Sequence, residues 1–180
     1  MIEIHGFAIV SADDRIADFS GAIPPALRNE ADWAYFQAEL DRADLVALGR
    51  LAHEAAPNAR GRRRLVLSRS ARALERRADG WWWNPAEIPW REVAVALMPQ
   101  GGRVATPGGR AAFDFFLGVG YAAFHLSRVE GLSLPCGRPL FARTLDGVPA
   151  RRILGEAGLS PRESRALDAA AGVTLTVWRA

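Results

Sequence analysis

The chain of 180 residues is predicted to be an α/β domain on a largely parallel sheet. Three observations lead there. Short runs rich in Val, Leu and Ala recur at 2–10, 44–48, 64–68 and 102–106, most of them followed by a segment of helical character. Two of the handovers start with glycine and arginine, at Gly49-Arg50 and at Gly108-Gly109-Arg110. Leu45 to Leu48 is wholly apolar, the pattern of a strand covered on both faces. A hydrophobic content of 49% over this length suits one buried core, so residues 1–180 read as a single domain.

The elements follow in order. Residues 2–10 form the first strand. Residues 11–28, with Gly21, Pro24 and Pro25, form a loop far longer than the usual connection of about 4–6 residues, a length typical of a lid over a site. Asn29 is a good N-cap for a helix over 29–42, where Trp33, Phe36 and Leu40 share one face. The strand at 44–48 leads into a short helix near Arg50, and a third strand spans 64–68. An arginine-rich stretch without clear periodicity follows, then Gly80-Trp81-Trp82-Trp83, whose side chains alternate across an extended chain and suit a core with a subunit contact. Pro89 opens a helix with Val93, Leu97 and Met98 as its apolar positions. A strand at 102–106, a helix at 111–117 and a strand at 121–129 come next. The tail carries helical patches at 150–157 and 161–171 before a strand at 173–178, so 144–172 reads as a helical insertion. The late strands are expected to add an antiparallel edge.

All 23 basic residues are arginine, as much a mark of genome base composition as of function. Residues 1–59 hold ten acids and four arginines, whereas 60–180 hold ten acids and nineteen arginines, an asymmetry that suits an anionic ligand or partner. The densest run, Arg60-Gly61-Arg62-Arg63-Arg64, leads straight into Leu65-Val66-Leu67. It therefore reads as a solvated turn before a strand, with Arg62 as an anion contact, and not as a nucleic-acid surface. The lone Cys136 excludes an intramolecular disulfide and a cysteine-cluster metal site, and the three histidines are scattered, so no metal is expected. No apolar run approaches the about 18 residues of a membrane span, and the start of the chain lacks a basic region followed by an apolar block. A soluble, cytoplasmic protein with a small-molecule substrate and no membrane partner is expected. The tryptophan segment or an edge strand leaves room for a homodimer contact.

Asp32 stands out chemically. Beside a desolvated cleft its carboxyl group stays protonated and can deliver a proton; in the first turn of an exposed helix it merely meets the positive end of the dipole. Gly49-Arg50 and Gly108-Gly109-Arg110 can hold phosphate through backbone N–H groups and a guanidinium, or can be ordinary tight turns. Ser127 can orient a carboxylate or simply bond to nearby backbone.

The order and spacing of these pieces resemble the dihydrofolate reductase superfamily, which includes the reductase domain of bacterial riboflavin biosynthesis. The likeness covers most of residues 2–130. Val10-Ser11 through Asp14-Arg15-Ile16-Ala17 resembles the family's first strand and the start of its active-site loop, and Ala31-Asp32-Trp33-Ala34-Tyr35-Phe36 resembles its acid-bearing helix. The resemblance implies a three-layer fold with a mostly parallel central sheet, an antiparallel edge and helices on both faces. It implies Asp32 as the catalytic acid supported by Ser127, with Val10, Phe36 and Arg62 at the substrate. It also implies NADPH as cofactor, held by Ala17, Gly49, Arg50, Leu67, Ser68, Arg69, Gly108, Gly109 and Arg110. The activity so implied is hydride transfer to a pterin-like substrate such as dihydrofolate.

Three positions depart from the family pattern. Pro25 stands where dihydrofolate reductases have a tryptophan, Leu51-Ala52 lack the threonine usual after Gly-Arg, and Ala112 replaces a common tyrosine. A riboflavin-pathway reductase acting on a ribosylaminopyrimidine phosphate, and a non-catalytic binding protein on the same scaffold, are the competing expectations.

Overall fold

The computed structural model describes residues 1–180. Nine strands form one sheet in the order β10-β11-β8-β1-β7-β3-β4-β6-β5. The six central strands are parallel: β1 (Ile2–Ser11), β3 (Leu45–Gly49), β4 (Arg64–Leu67), β6 (Gly80–Trp83), β7 (Gly102–Thr106) and β8 (Ala123–Val129). β5 (Leu74–Arg77) is antiparallel at one edge, and β11 (Val173–Arg179) with β10 (Ser160–Asp168) forms the antiparallel other edge. A short pair, β2 (Arg15–Ala17) and β9 (Arg138–Pro139), lies apart from the main sheet. This is the three-layer arrangement expected.

The chain winds outward from β1 to β3 and β4 through α1 (Glu30–Asp41) and α2 (Arg50–Ala55), which share one face of the sheet. It returns to β7 and β8 through α3 (Trp90–Leu97) and α4 (Arg110–Val119) on the other face, joined there by α5 (Ala150–Glu156). Reversing both direction and face keeps every parallel crossover of one hand. It also lays β7 between β1 and β3, so the turns after β1, β7 and β3 lie side by side.

Strand alternation decides which core each residue joins. Ile4, Val10, Leu45, Leu65, Trp83, Val104 and Phe124 pack against Phe113, Phe116 and Leu154 of the α3–α5 layer. Phe7, Val46, Leu48, Val66, Trp82 and Ala105 pack under Leu40 and Phe36 of α1. Gly6 is required here, because a Cβ would lie 2.3 Å from the Phe124 ring.

Several expectations need correction. Residues 161–171 are not a helix: 160–168 is the edge strand β10, paired along its length with β11, so the helical part of 144–172 reduces to a 3-10 turn and α5. Ser160 to Ala166 is exposed on both faces, so it carries no alternating apolar signal, and only pairing with β11 fixes it as extended chain. The featureless arginine stretch contains β5, an edge strand with two arginines that discourage further pairing. Of the three tryptophans, Trp82 and Trp83 are buried in the core and Trp81 is half-buried beside Arg76.

The long loop is not one lid. Residues 12–17 are tied down: Asp14, buried at φ 61°, accepts from Arg128 at 2.6 Å and from the Ala150 N–H at 2.8 Å, while its own carbonyl accepts from Leu140. Only residues 19–26 remain mostly exposed, before Leu27 anchors the chain in a small core with Val129 and Val173. Asp14→Ala removes the tie, strands the Arg128 charge and leaves alanine in a left-handed conformation. It is expected to lower the unfolding free energy by about 3 kcal/mol in urea titration. An unchanged midpoint would show that the tie contributes nothing.

Candidate functional site

The carboxyl edge of the parallel strands gathers most of the singled-out residues. Gly49 ends β3 and Gly109 follows β7, and their backbones touch: the Gly49 N–H donates to the Gly108 carbonyl at 3.2 Å. A Cβ on Gly109, whose φ is +85°, would sit 3.3 Å from both Cα and N of Gly49. Side chains larger than hydrogen are thus kept out of the seam. Neither Gly49 nor Gly109 gives its helix a side-chain cap, and neither helix has an acid in its first turn. The ten-residue α4 therefore presents its positive end uncompensated at this seam. Arg110 is exposed beside it, and Arg50 is exposed and paired only with Glu54 one turn along.

Asp32 lies at the same edge because Asn29 starts α1 there, its side chain accepting from the Asp32 N–H at 3.0 Å. Ser127 of β8 is buried and pairs across Ile9 of β1. Its hydroxyl lies on the side of the half-buried Asp32 carboxyl group, near enough to influence its titration without a hydrogen bond of ordinary length and angle. Burial pushes that carboxyl above the ordinary carboxylate range, and the Ser127 hydroxyl offsets only part of the effect. β8 is two strands from β7 and three from β3, so Ser127 and the glycine seam lie about 10–15 Å apart along the edge.

The other predicted residues are distributed differently. Phe36 is half-buried, in edge contact with Phe7 at 6.3 Å and with Trp33 at 5.5 Å. Trp33 itself is 62% exposed, so α1 is less core-facing than its spacing predicts. Ser68 is buried at the end of β4, where its hydroxyl bonds to the Ser70 hydroxyl and backbone, and Arg69 is exposed next to it. Ala17 and Leu67 are buried, and Val10 is fully enclosed on the α4 side, so these three offer no side-chain surface to a ligand in this conformation.

Arg62 lies elsewhere. It precedes β4, at the amino end of the sheet, six residues and about 20 Å of extended chain from Ser68. Its guanidinium is taken by Asp41 at 2.6 Å and by Gln37 at 2.8 Å, so it braces the end of α1 and does not reach the carboxyl edge.

A polar layer beneath Asp32 was not foreseen from the residues. His5 and His125, 120 residues apart, come within 3.3 Å, and Tyr35 of α1 lies 2.5 Å from His125 Nδ1. Arg103 reaches His5 Nδ1 at 3.1 Å and also pairs with buried Glu39. Burial first, then His5, Arg103 and Arg179, hold His125 down at about 3; burial and Arg103 lower His5, against the opposing pull of Glu3. Burial, reinforced by Glu39, pushes Tyr35 up to about 12. Strand parity alone could have placed both histidines on the α1 face, but only the β1–β8 register makes them neighbours.

No protein-family model matches the chain, and no curated protein does. Solved structures match it closely in shape. A riboflavin biosynthesis protein from Shewanella sp. PV-4 superposes with a TM-score of 0.68 at 17% identity, over 99% of this chain and 98% of that one. A diaminohydroxyphosphoribosylaminopyrimidine deaminase/5-amino-6-(5-phosphoribosylamino)uracil reductase from Thermotoga maritima gives 0.69 at 14% identity, over 99% of this chain and 56% of that one. Dihydrofolate reductase from Enterococcus faecalis, solved with NADP(H), gives 0.67 at 11% identity over 98% and 95%. The fold is therefore that of the dihydrofolate reductase and riboflavin reductase group.

Both histidines are held below their ordinary value, so the unfolded chain binds protons first. The stability tied to their neutrality is complete above about pH 6.5 and is lost as pH falls toward the folded values. Between roughly pH 6.5 and 5 the unfolding free energy is expected to drop by about 1.4 kcal/mol per pH unit for each histidine kept neutral. Urea unfolding of wild type and His125→Leu over that range checks it, the variant having the shallower slope; equal slopes would contradict it.

Proposed function

We propose that the protein is an NADPH-dependent reductase that transfers hydride to a pterin-like heterocycle such as dihydrofolate, with Asp32 managing the accompanying proton. One observation carries the reading. A carboxyl group kept toward its neutral form by burial, and steadied by Ser127, shares a strand edge with a glycine seam fit for a dinucleotide's phosphates.

The residues present fit the cofactor. The Gly49–Gly109 seam leaves backbone exposed where a Cβ would intrude, and the uncapped start of α4 with Arg110 favours negative charge. Arg50, Ser68 and Arg69, at the ends of β3 and β4, would take the adenosine phosphate. When bound, NADPH supplies the hydride. Asp32 holds the proton on its carboxyl oxygen and gives it to the nitrogen of the substrate's C=N bond while the carbon is reduced. Ser127 fixes that carboxyl group's orientation. Phe36, half-buried against Phe7, lays an aromatic wall beside it. The exposed segment at 19–26, which carries Phe19 and Ile23, is the part of the loop free to cover the cleft and exclude water.

A second reading keeps the scaffold and chemistry but changes the substrate to a phosphorylated ribosylaminopyrimidine. The engagement of Arg62 with Asp41 and Gln37 favours it, because that arginine is withdrawn from any role as anchor for a folate carboxylate tail. Steady-state turnover on dihydrofolate and on the ribosylaminopyrimidine phosphate separates the two.

Asp32→Asn is expected to lower turnover by about two orders of magnitude or more while leaving NADPH affinity nearly intact. In wild type, kcat/KM should fall as pH rises through the Asp32 midpoint, since the protonated form is the active one. Unchanged turnover in the variant removes Asp32 from the mechanism. Gly109→Val should weaken NADPH binding, followed by cofactor fluorescence, by about tenfold or more through the lost seam. Failure of wild type to bind NADPH would leave only a binding protein on this scaffold.

A further inference from the structure

The polar layer under α1 closes on itself. Arg103 can only donate, so His5 Nδ1 must accept; His125 Nε2 is then a second, longer donor sharing the same lone pair, and His125 Nδ1 accepts from the Tyr35 hydroxyl. Arg103 also donates to Glu39. The circuit therefore leaves α1 at Tyr35, crosses β8, β1 and β7 through His125, His5 and Arg103, and returns to α1 at Glu39, one helical turn further on. It works only while both histidines are neutral, because a proton on His5 Nδ1 would leave Arg103 facing another donor.

The circuit is unsuited to carrying protons to the site. Its donors point away from Tyr35 toward His5, whose Nε2 faces Glu3 at 3.6 Å, and moving a proton along it would leave a tyrosinate in a half-buried position. It is suited to fastening a helix. α1 buries little else, only Glu39 and Leu40, so two polar attachments one turn apart fix its roll and height on the sheet. The first attachment, Tyr35, stands three residues beyond Asp32. On the strand side, His125 stands two residues before Ser127 on the same face of β8.

We propose that Tyr35 and His125 are positioning residues for Asp32, their hydrogen bond seating α1 so that the Asp32 carboxyl group meets Ser127 and is kept from water. The proposal rests on Asp32 being the proton-handling group. The charged and titratable groups facing the circuit are Glu3 on β1, Arg103 on β7, Arg179 on β11, Glu39 on α1, and Glu163 and Arg165 on β10, the Arg165 guanidinium lying 5.5 Å over the Tyr35 ring.

The test follows Asp32 directly. Protein labelled with ¹³C at aspartate carboxyl carbons is titrated by NMR, the Asp32 signal being identified by its loss in Asp32→Asn. In Tyr35→Phe and His125→Leu a looser α1 admits water, and since burial outweighs the effect of Ser127, the Asp32 midpoint should move down by about one pH unit. His125→Asn, whose side-chain oxygen can take the place of Nδ1 for Tyr35, should restore most of the wild-type midpoint. In the first two variants kcat should fall about tenfold above the midpoint, with NADPH affinity unchanged. If His125→Leu does not fold, the milder Tyr35→Phe decides alone. A midpoint within about 0.2 pH units of wild type in folded Tyr35→Phe overturns the proposal. Full turnover in Asp32→Asn would instead overturn the assignment of Asp32, while the NMR titration still reports whether Tyr35 seats the helix.

Discussion

The close approach of two β-to-α turns is the constraint on which the site depends. β7 pairs with β3 through only two residue pairs, Leu45 with Val104 and Val46 with Ala105. Beyond them the strands are joined at their carboxyl ends by the Gly49–Gly108 hydrogen bond, and a Cβ on Gly109 would crowd the Gly49 backbone. Because β7 is inserted between strands formed earlier in the chain, its turn must nestle against one already in place. The same insertion aligns α4's uncapped start with the beginnings of α1 and α2. Topology, rather than any single motif, assembles the edge.

Two polar tiers lie under α1, and they carry different burdens. The upper tier, Asp32 with Ser127, tolerates incomplete pairing because a neutral carboxyl group suffers less from burial than a charged one. The lower tier holds a buried carboxylate, an arginine, two histidines and a phenol, and satisfies most of them mutually. Leaving one member unpaired would cost about 1–3 kcal/mol, more for a charged one, so the layer locks as a unit. Apolar packing alone would permit a short helix with one buried leucine to slide; directional bonds to two different strands, linked through a third, do not.

Elements whose own chemistry determines them were legible from sequence. Asn29 caps α1 as its side-chain type dictates, and the apolar run at 45–48 is the doubly covered strand its composition predicts. The convergence of Asp32 with Ser127 and of Gly49 with Gly109 also follows the resemblance. What escaped was whatever a distant partner decides. β10 has the composition of a helix and is extended only because β11 offers it a ladder. That Arg62 is engaged by Asp41 at the end of α1 also depends on a partner 21 residues away. His5 and His125 look unrelated until the β1–β8 register brings their rings together.

The arginine excess of the later chain is resolved by asking what each guanidinium already holds. Arg103 is bound to buried Glu39 under α1, Arg62 to Asp41 and Gln37 at the end of that helix, and Arg128 to Asp14, so their charge serves the fold. Arg69 and Arg110 are exposed at the carboxyl edge. Arg50 pairs only with Glu54, an exposed i,i+4 contact of the kind worth about 0.3–0.5 kcal/mol. A phosphate offers a charge-assisted, two-pronged bond that exceeds that contact, so Arg50 can exchange partners at little loss. Arg50, Arg69 and Arg110 thus stand uncommitted or weakly committed at the edge where the glycine seam and the uncapped helix already favour an anion. That coincidence of three features on one edge is what supports the proposal of a phosphate site over a set of ordinary turns.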